Sequence, residues 1–279
     1  MPVRRGIATA LLTGAACAGC TDVSTDPQVP VSLQFDSLPA LAVVVGDTLR
    51  GDSLTPARIP VRAFDGNGGM VRDSQLRVLG IDTTSVRAFR LISGFRIVGL
   101  TEAAAVRVVA QAGALQSQTQ TFAVVAAPTG IVKSNAVNDS IFYNRSDTTL
   151  RYADVGVNVI RQAAPESTVV ALNGLRVRFS IDSFSRAVLD SVRVVGTGSG
   201  RPATSAVVTG GAATVRIKAY PRANATGNGV VRLLASHRFR GGATRGSPFT
   251  LTIRLLPVSG ASGSVTRAPH PLAPARALP

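Results

Sequence analysis

The chain has 279 residues, a formal net charge of +15 and 45% hydrophobic residues. This length provides for one large or two ordinary domains, each able to bury a core. All but two of the basic residues are arginines spread singly along the chain, and tryptophan is absent. Nucleic-acid-binding proteins cluster basic residues on one face with aromatic residues between them, so the composition argues against that class.

The first nineteen residues contain the three parts of a secretory signal in the correct order. Arg4 and Arg5 form a positive start, and residues 6–18 are uncharged and mostly apolar. That run is too short to span a bilayer, which takes roughly 20 apolar residues. We therefore predict that residues 1–19 are a cleaved signal peptide and that the exported chain begins at Cys20.

The tetrad Cys17-Ala18-Gly19-Cys20 resembles the lipobox of bacterial lipoproteins, with Cys17 at the position where leucine is usual. The resemblance implies that Cys20 carries the lipid after cleavage behind Gly19. Lipidation of Cys17 and an ordinary secretion signal are the alternatives. No cysteine follows Cys20, so neither cysteine has a disulfide partner in the body of the chain, and lipidation gives them a local role instead. Thr21, rather than aspartate, after the cysteine is typical of outer-membrane or surface sorting.

A polar tether over residues 20–30 leads into a β-rich block over residues 31–125. Apolar and polar residues alternate in it with a period of two, which predicts half-buried strands. Residues 65–69 (DGNGG) predict a hairpin turn, because Gly and Asn tolerate positive φ. They resemble part of a calcium loop, but the later acidic ligands are missing. The predicted strands cover residues 31–36, 41–49, 59–64, 71–81, 86–91, 95–100, 106–111 and 116–125.

Residues 126–130 are predicted to be a linker, and a second β-rich block follows over residues 131–256. Turns recur roughly every 8–12 residues in the first block, a spacing typical of an immunoglobulin-like sandwich. We therefore predict an all-β chain of two tandem immunoglobulin-like β-sandwiches and, at residues 257–279, a disordered tail. Strands of the second block are predicted at residues 139–143, 155–161, 175–181, 187–195, 205–208, 213–220, 230–237 and 249–255.

The first block resembles bacterial Ig-like domains of group 2, which occur in intimins. The matching segments are VGDTL at 45–49, IPVRAFDGNG at 59–68, IDTTSV at 81–86 and GFRIVG at 94–99. The second block resembles invasin-type, group 1 domains through GLRVRFS at 174–180 and GAATV at 211–215. These resemblances imply adhesive, binding or spacer modules and bring no catalytic residue with them.

Few residues in the sequence are suited to catalysis. His237 and His270 are the only histidines, Glu102 and Glu166 are the only glutamates, and no nucleophile-elbow motif occurs. His237 is predicted to be a surface residue at a strand end. The Gly-rich segment 196–200 lacks the Lys-Ser/Thr ending of a phosphate loop. We therefore expect no enzymatic activity, no cofactor and no metal site.

Two functional hypotheses follow. The first is a lipid-anchored, non-catalytic envelope protein whose partners are envelope proteins or anionic glycans, since a basic exterior attracts anions. The second is a carbohydrate-binding or carbohydrate-active accessory protein. Carbohydrate modules usually present exposed aromatic platforms, and the presence of only three tyrosines, Tyr143, Tyr152 and Tyr220, with no tryptophan weighs against this hypothesis.

Overall fold

The computed structural model describes residues 29–72, 75–135, 139–143, 151–165 and 167–258. The predicted signal peptide, Cys20 and most of the predicted tail lie outside these residues. The described part is almost entirely β-structure, with one short helix. Its strands form the two sandwiches that the alternating sequence pattern predicts.

The first sandwich contains nine strands and the helix. In chain order these are β1 (Ser32–Phe35), β2 (Ala42–Val44), β3 (Val61–Phe64), β4 (Leu76–Gly80), α1 (Thr83–Ala88), β5 (Phe89–Ile92), β6 (Arg96–Gly99), β7 (Ala103–Ala112), β8 (Leu115–Gln116) and β9 (Gln120–Val125).

The edge strand of this sandwich is divided between its layers. β1 pairs antiparallel with β3, whereas β2 pairs parallel with β9. The larger sheet has the order β2-β9-β7-β4, with β8 beside β7, and β5 pairs with β6. A continuous cluster of buried side chains, including Leu49, Ile97, Val106 and Phe122, fills the space between the layers.

The second sandwich contains the remaining twelve described strands. They are β10 (Gly130–Lys133), β11 (Ser140–Tyr143), β12 (Arg151–Arg161), β13 (Val170–Ala171), β14 (Arg176–Phe184), β15 (Leu189–Gly196), β16 (Ser205–Val207), β17 (Ala213–Pro221), β18 (Gly229–Ser236), β19 (Arg238–Phe239), β20 (Gly242–Ala243) and β21 (Phe249–Pro257).

The strand order of the second sandwich is immunoglobulin-like. One sheet runs β10-β12-β17-β15 and the other β11-β21-β18-β14-β16. Taken as A, B, E and D against A′, G, F, C and C′, this is the two-sheet arrangement of immunoglobulin domains. As in the first sandwich, the edge strand is divided, because β10 pairs antiparallel with β12 and β11 pairs parallel with β21. The predicted fold class is confirmed.

One predicted strand begins as a helix. Residues 86–88 belong to α1, which starts after Asp82, whose carboxylate accepts a hydrogen bond from the Ser85 N–H at 2.7 Å. That hydrogen bond, followed by those from the Arg107 guanidinium, lowers the pKa of Asp82 to about 2. Aspartate is a favoured N-cap residue, and this cap outweighs the β preference of the apolar residues that follow.

The sequence also failed to predict several short strands. β10 begins at Gly130, the last residue of the predicted linker, and β13, β19 and β20 have only two residues each. Segments this short are held by pairing with a neighbour, so their own residues give no period to detect. The hairpin at residues 65–69 is confirmed. Its Asp65 carboxylate accepts hydrogen bonds from the N–H groups of Asn67 and Gly69.

Candidate functional site: the junction between the sandwiches

One strand of the first sandwich, β2, also packs against the second sandwich at their junction. All three residues of β2 are buried, although neighbouring side chains of a strand point to opposite faces. Val43 packs in the core of the first sandwich, whereas Ala42 and Val44 pack in the core of the second. The strand is therefore covered on both faces, and the second core is incomplete without it.

Backbone hydrogen bonds join β2 to the second sandwich. The carbonyl of Gly174 accepts the N–H groups of Leu41 at 3.1 Å and Ala42 at 3.0 Å. Gly174 has φ of +80°, and a Cβ placed there would lie 2.7 Å from the Cβ of Ala42. Glycine is required at this position both by the backbone conformation and by the close approach of β2.

A buried carboxylate binds groups from both sandwiches. Asp47, whose side chain is 8% exposed, accepts hydrogen bonds from the Thr48 N–H at 2.8 Å and from Arg50 Nε and Nη2 at 3.0 and 2.9 Å. It also accepts one from the backbone N–H of Arg240, in the second sandwich, at 3.0 Å. Arg50 donates further to the Leu54 carbonyl at 2.7 Å. Each nitrogen of the Arg50 guanidinium and each oxygen of Asp47 therefore has a hydrogen-bond partner, the condition under which a buried ion pair is tolerated.

His237 lies beside this ion pair and is buried, so its prediction as a surface residue is wrong. The residue is 3% exposed, and its Nδ1 is 2.7 Å from the Thr244 hydroxyl. Burial, followed by the nearby positive charge of Arg50, lowers the pKa of His237 to about 4 although Asp47 acts in the opposite direction. The burial of His237 could not be predicted from the sequence, because the first sandwich covers this residue and the residue pattern of its own predicted strand gives no sign of that contact.

Two further ion pairs lie at the periphery of the junction. Arg176 and the Ser205 hydroxyl both donate to the carboxylate of Asp52. Elsewhere, Arg161 Nη1 lies 3.3 Å from Glu102. Glu102 is thus an ion-pair partner here, whereas Glu166 lies outside the described residues. The Arg161–Glu102 pair is exposed on both sides and contributes little to stability. Arg176 is only 17% exposed, so its pair with Asp52 adds a partly buried contact to those of β2 and Asp47.

One outer surface of the second sandwich carries a paired arginine beside an exposed tyrosine. On the sheet of β12 and β17, Asp154 accepts hydrogen bonds from Arg216 at 2.7 and 2.9 Å, and the Arg216 guanidinium lies 4.6 Å from the Tyr152 ring. Of the three tyrosines, Tyr152 is 61% exposed, and Tyr143 is buried with its hydroxyl donating to a backbone carbonyl. The partly buried Tyr220 contacts Arg193. Of the three tyrosines, Tyr152 is thus the one with a well-exposed ring.

The described ranges contain no cluster of three potential metal ligands from His, Cys, Asp and Glu. Within the same ranges, no helix has the length and apolar character needed to cross a bilayer. The Gly-rich segment 196–200 forms a turn at the end of β15, where the Gly200 N–H donates to the Gly196 carbonyl at 3.0 Å. Its glycines serve chain reversal in this structure.

Solved structures with a similar arrangement of strands come from surface proteins and from an enzyme. Domains 4 and 5 of the S-layer protein SbsC are 10% identical, with 81% of this chain and 96% of that chain covered and a TM-score of 0.27. The Yersinia pseudotuberculosis adhesin InvE is 12% identical, with 80% and 58% covered and a TM-score of 0.31. The endo-fucoidan hydrolase MfFcnA9 is 10% identical, with 81% and 34% covered and a TM-score of 0.35.

No protein-family model and no curated protein matches the chain. The TM-scores above are too low to support an argument about function. The fold assignment therefore rests on the strand order and the divided edge strands described above.

Proposed function

We propose that this chain is a non-catalytic, lipid-anchored protein of the bacterial cell envelope whose sandwiches form a stiff adhesive, binding or spacer unit. The observation that carries the proposal is the junction, where β2 contributes to both hydrophobic cores. A flexible linker alone would let the sandwiches reorient, whereas a shared strand and the buried Asp47 hold them together. A stiff tandem unit can keep a binding surface at a fixed distance from an anchor.

The motifs at residues 45–99 and 174–215 support assigning the sandwiches to group 2 and to invasin-type Ig-like domains, respectively. Membership of these groups favours surface roles over catalysis. The sandwich fold alone does not specify a function, because proteins with this fold have many different activities.

The anchor is tested at Cys20. Replacing Cys20 with serine removes the thiol that would receive the lipid. We expect the native chain to incorporate labelled palmitate and to fractionate with membranes, and Cys20→Ser to do neither. Cys17→Ser is the matched control and should retain both properties. Loss of labelling in Cys17→Ser but not in Cys20→Ser would move the anchor to Cys17.

Surface display is tested by protease treatment of intact cells followed by mass spectrometry. We expect peptides from the described residues to be released without opening the envelope. Peptides released only after the envelope is opened would place the unit in the periplasm and favour a scaffold role. Failure of the chain to be exported at all would contradict the proposal.

The alternative function is binding of carbohydrate at the exposed Tyr152. Its ring is 61% exposed and is flanked by the Asp154–Arg216 pair, so a sugar could stack beside hydrogen-bonding groups. A glycan array tests this role. Binding of an uncharged glycan that is lost in Tyr152→Ala but kept in Tyr220→Ala would support it, and an empty array would remove it.

A further inference from the structure

The outer face of the second sandwich's five-stranded sheet carries a row of exposed arginines. Arg178 on β14, Arg232 on β18 and Arg254 on β21 all point to solvent. The three strands contain a single acidic residue, Asp182, at an irregularity in the β14–β18 register. With Asp182 counted, these three strands still carry an excess of positive charge on this face.

The strand register places these arginines on a diagonal. Arg254 is opposite Val230, two residues before Arg232 on β18, and Arg178 is opposite Ser236, four residues after Arg232. From ordinary strand spacing, the steps between Cα atoms are about 8 Å and about 14 Å. The charges thus follow a line across the sheet rather than forming one compact cluster.

Among the residues that the structure describes, none of these three guanidinium groups has an ion-pair or side-chain hydrogen-bond partner. Elsewhere in the same sandwich, Arg216 is paired with Asp154 and Arg222 with Asp190. The diagonal therefore has spare cationic donors. Hydroxyl side chains lie between and beside them on the same face, at Ser140, Ser180, Ser236, Thr250 and Thr252.

We propose that this arginine diagonal is a binding surface for a linear anionic polysaccharide. Arginine presents several donors in a planar fork that suits sulfate and carboxylate groups, and the flanking hydroxyls can hydrogen-bond to sugar oxygens. A line of separated charges matches a polymer that carries anionic groups at intervals. The inference rests on the proposed non-catalytic binding role and identifies its partner.

Two other anionic partners fit the face less well. Single-stranded nucleic acids stack successive bases on several aromatic side chains, whereas, among the described residues, the one aromatic side chain at an outward position of this sheet is Phe142 on β11. Binding to a membrane surface is strengthened by apolar side chains that enter the headgroup region. In this sheet, the large apolar residues more than a third exposed are Val230 on β18 and Phe142 on β11. Three arginines without ion-pair partners, with only these two apolar side chains exposed on the sheet, favour a hydrated polyanion.

The test is binding of the full-length chain to dextran sulfate, with uncharged dextran as the reference probe. The triple substitution Arg178→Ser, Arg232→Ser and Arg254→Ser removes the diagonal. We expect its affinity to fall by about tenfold or more at about 0.1 M salt, where the Debye length is about 10 Å, since each of the three exposed charges contributes modestly. Binding by the native chain should weaken as salt is added, because exposed charges are screened.

The matched control removes the same charge from the first sandwich through Arg77→Ser, Arg87→Ser and Arg96→Ser. All three residues are exposed. We expect this control to bind dextran sulfate within about twofold of the native chain, because losses of distant charge are screened. Circular dichroism and thermal unfolding of each variant would verify that the fold is retained.

Equal losses in the two triple variants would show a general charge effect and overturn the assignment to this face. No binding of the native chain to dextran sulfate, or binding only to vesicles containing phosphatidylglycerol, would overturn the polysaccharide. If the chain is anchored and displayed but binds no polyanion, this inference is wrong and the proposed function stands. If the chain is neither exported nor lipidated, the proposed function is wrong, whatever the chain binds in solution.

Discussion

At the scale of single residues, Asp47 shows how one carboxylate can join two domains. It lies in the turn after β2, where its backbone N–H donates to the Val44 carbonyl at 3.0 Å. Its oxygens then accept the Thr48 and Arg240 backbone N–H groups and the Arg50 guanidinium. Arg50 is only 11% exposed, so removing Asp47 would leave a largely buried cation without its partner.

We therefore expect Asp47→Ala to lower the free energy of unfolding by about 3 kcal/mol, the usual cost of breaking a buried pair. Urea denaturation followed by circular dichroism would measure it. Asp190→Ala is the control, because Asp190 is 58% exposed in its pair with Arg222. It should cost no more than about 1 kcal/mol. Equal losses in both variants would contradict the role assigned to Asp47.

His237 makes the stability of the molecule depend on pH. Its pKa is lowered from 6.5 to about 4, so the folded state binds fewer protons than the unfolded state between these values. Its contribution to stability is complete above about pH 6.5 and is lost as the pH falls toward 4. At the low end of that window, we expect the loss from this group to be about 3 kcal/mol.

The measurement is the free energy of unfolding at intervals from pH 7 to pH 4. His237→Gln should flatten the profile in this window, because glutamine does not titrate. His270→Gln, which changes the only other histidine, should leave the slope unchanged. A slope that survives in His237→Gln would assign the pH dependence to another group.

At the scale of elements, β2 is the strand that joins the two sandwiches. The run Leu41-Ala42-Val43-Val44-Val45 is continuously apolar, and such a run is typical of a strand buried on both faces. The sequence thus contained a signal for the junction that an alternating strand would not have given. The identity of the second covering surface depended on Gly174, 130 residues further along the chain.

Substituting Gly174 with alanine should be more costly than the same substitution at another glycine of similar conformation. Gly241 has φ of +79° and nothing within 4 Å of a Cβ placed there, whereas Gly174 has Ala42 against it. We expect Gly241→Ala to cost about 1 kcal/mol from backbone strain alone. Gly174→Ala should cost at least about 1 kcal/mol more, because β2 must move. Thermal and urea unfolding of both variants would show the difference, and equal losses would contradict the tight approach.

At the scale of the whole molecule, the junction makes the tandem behave as one unit. Interfaces between domains within a chain normally allow relative motion unless they are large and hydrophobic. Here a strand of one sandwich completes the hydrophobic core of the other, and the hydrogen bonds to Asp47 and Gly174 fix its position. The relative orientation of the sandwiches is therefore built into the fold.

A spin-label distance measurement tests this rigidity. With Cys17 and Cys20 replaced by serine, labels at Arg87→Cys and Arg232→Cys report one distance between the sandwiches. We expect a narrow distance distribution in this background, and a broader one when Asp47→Ala and Gly174→Ala are added. A broad distribution before those changes would show that the sandwiches move independently and would contradict the stiff unit.

The sequence by itself determined the all-β class, the number of sandwiches and most strands, because alternation with a period of two reports burial of one face along a single strand. It also determined the hairpin at residues 65–69 through the conformational freedom of its glycines. The tertiary structure decided the burial of His237, the binding of Arg240 to Asp47 and the arginine diagonal, because each depends on segments brought together from distant parts of the chain. It also decided α1 and the two-residue strands, where a cap or a neighbouring strand outweighs local preference. A periodic pattern shows which face of one strand is buried, but it does not show which other element covers that face. A junction or the face of a sheet depends on which elements meet, and only the tertiary structure shows that.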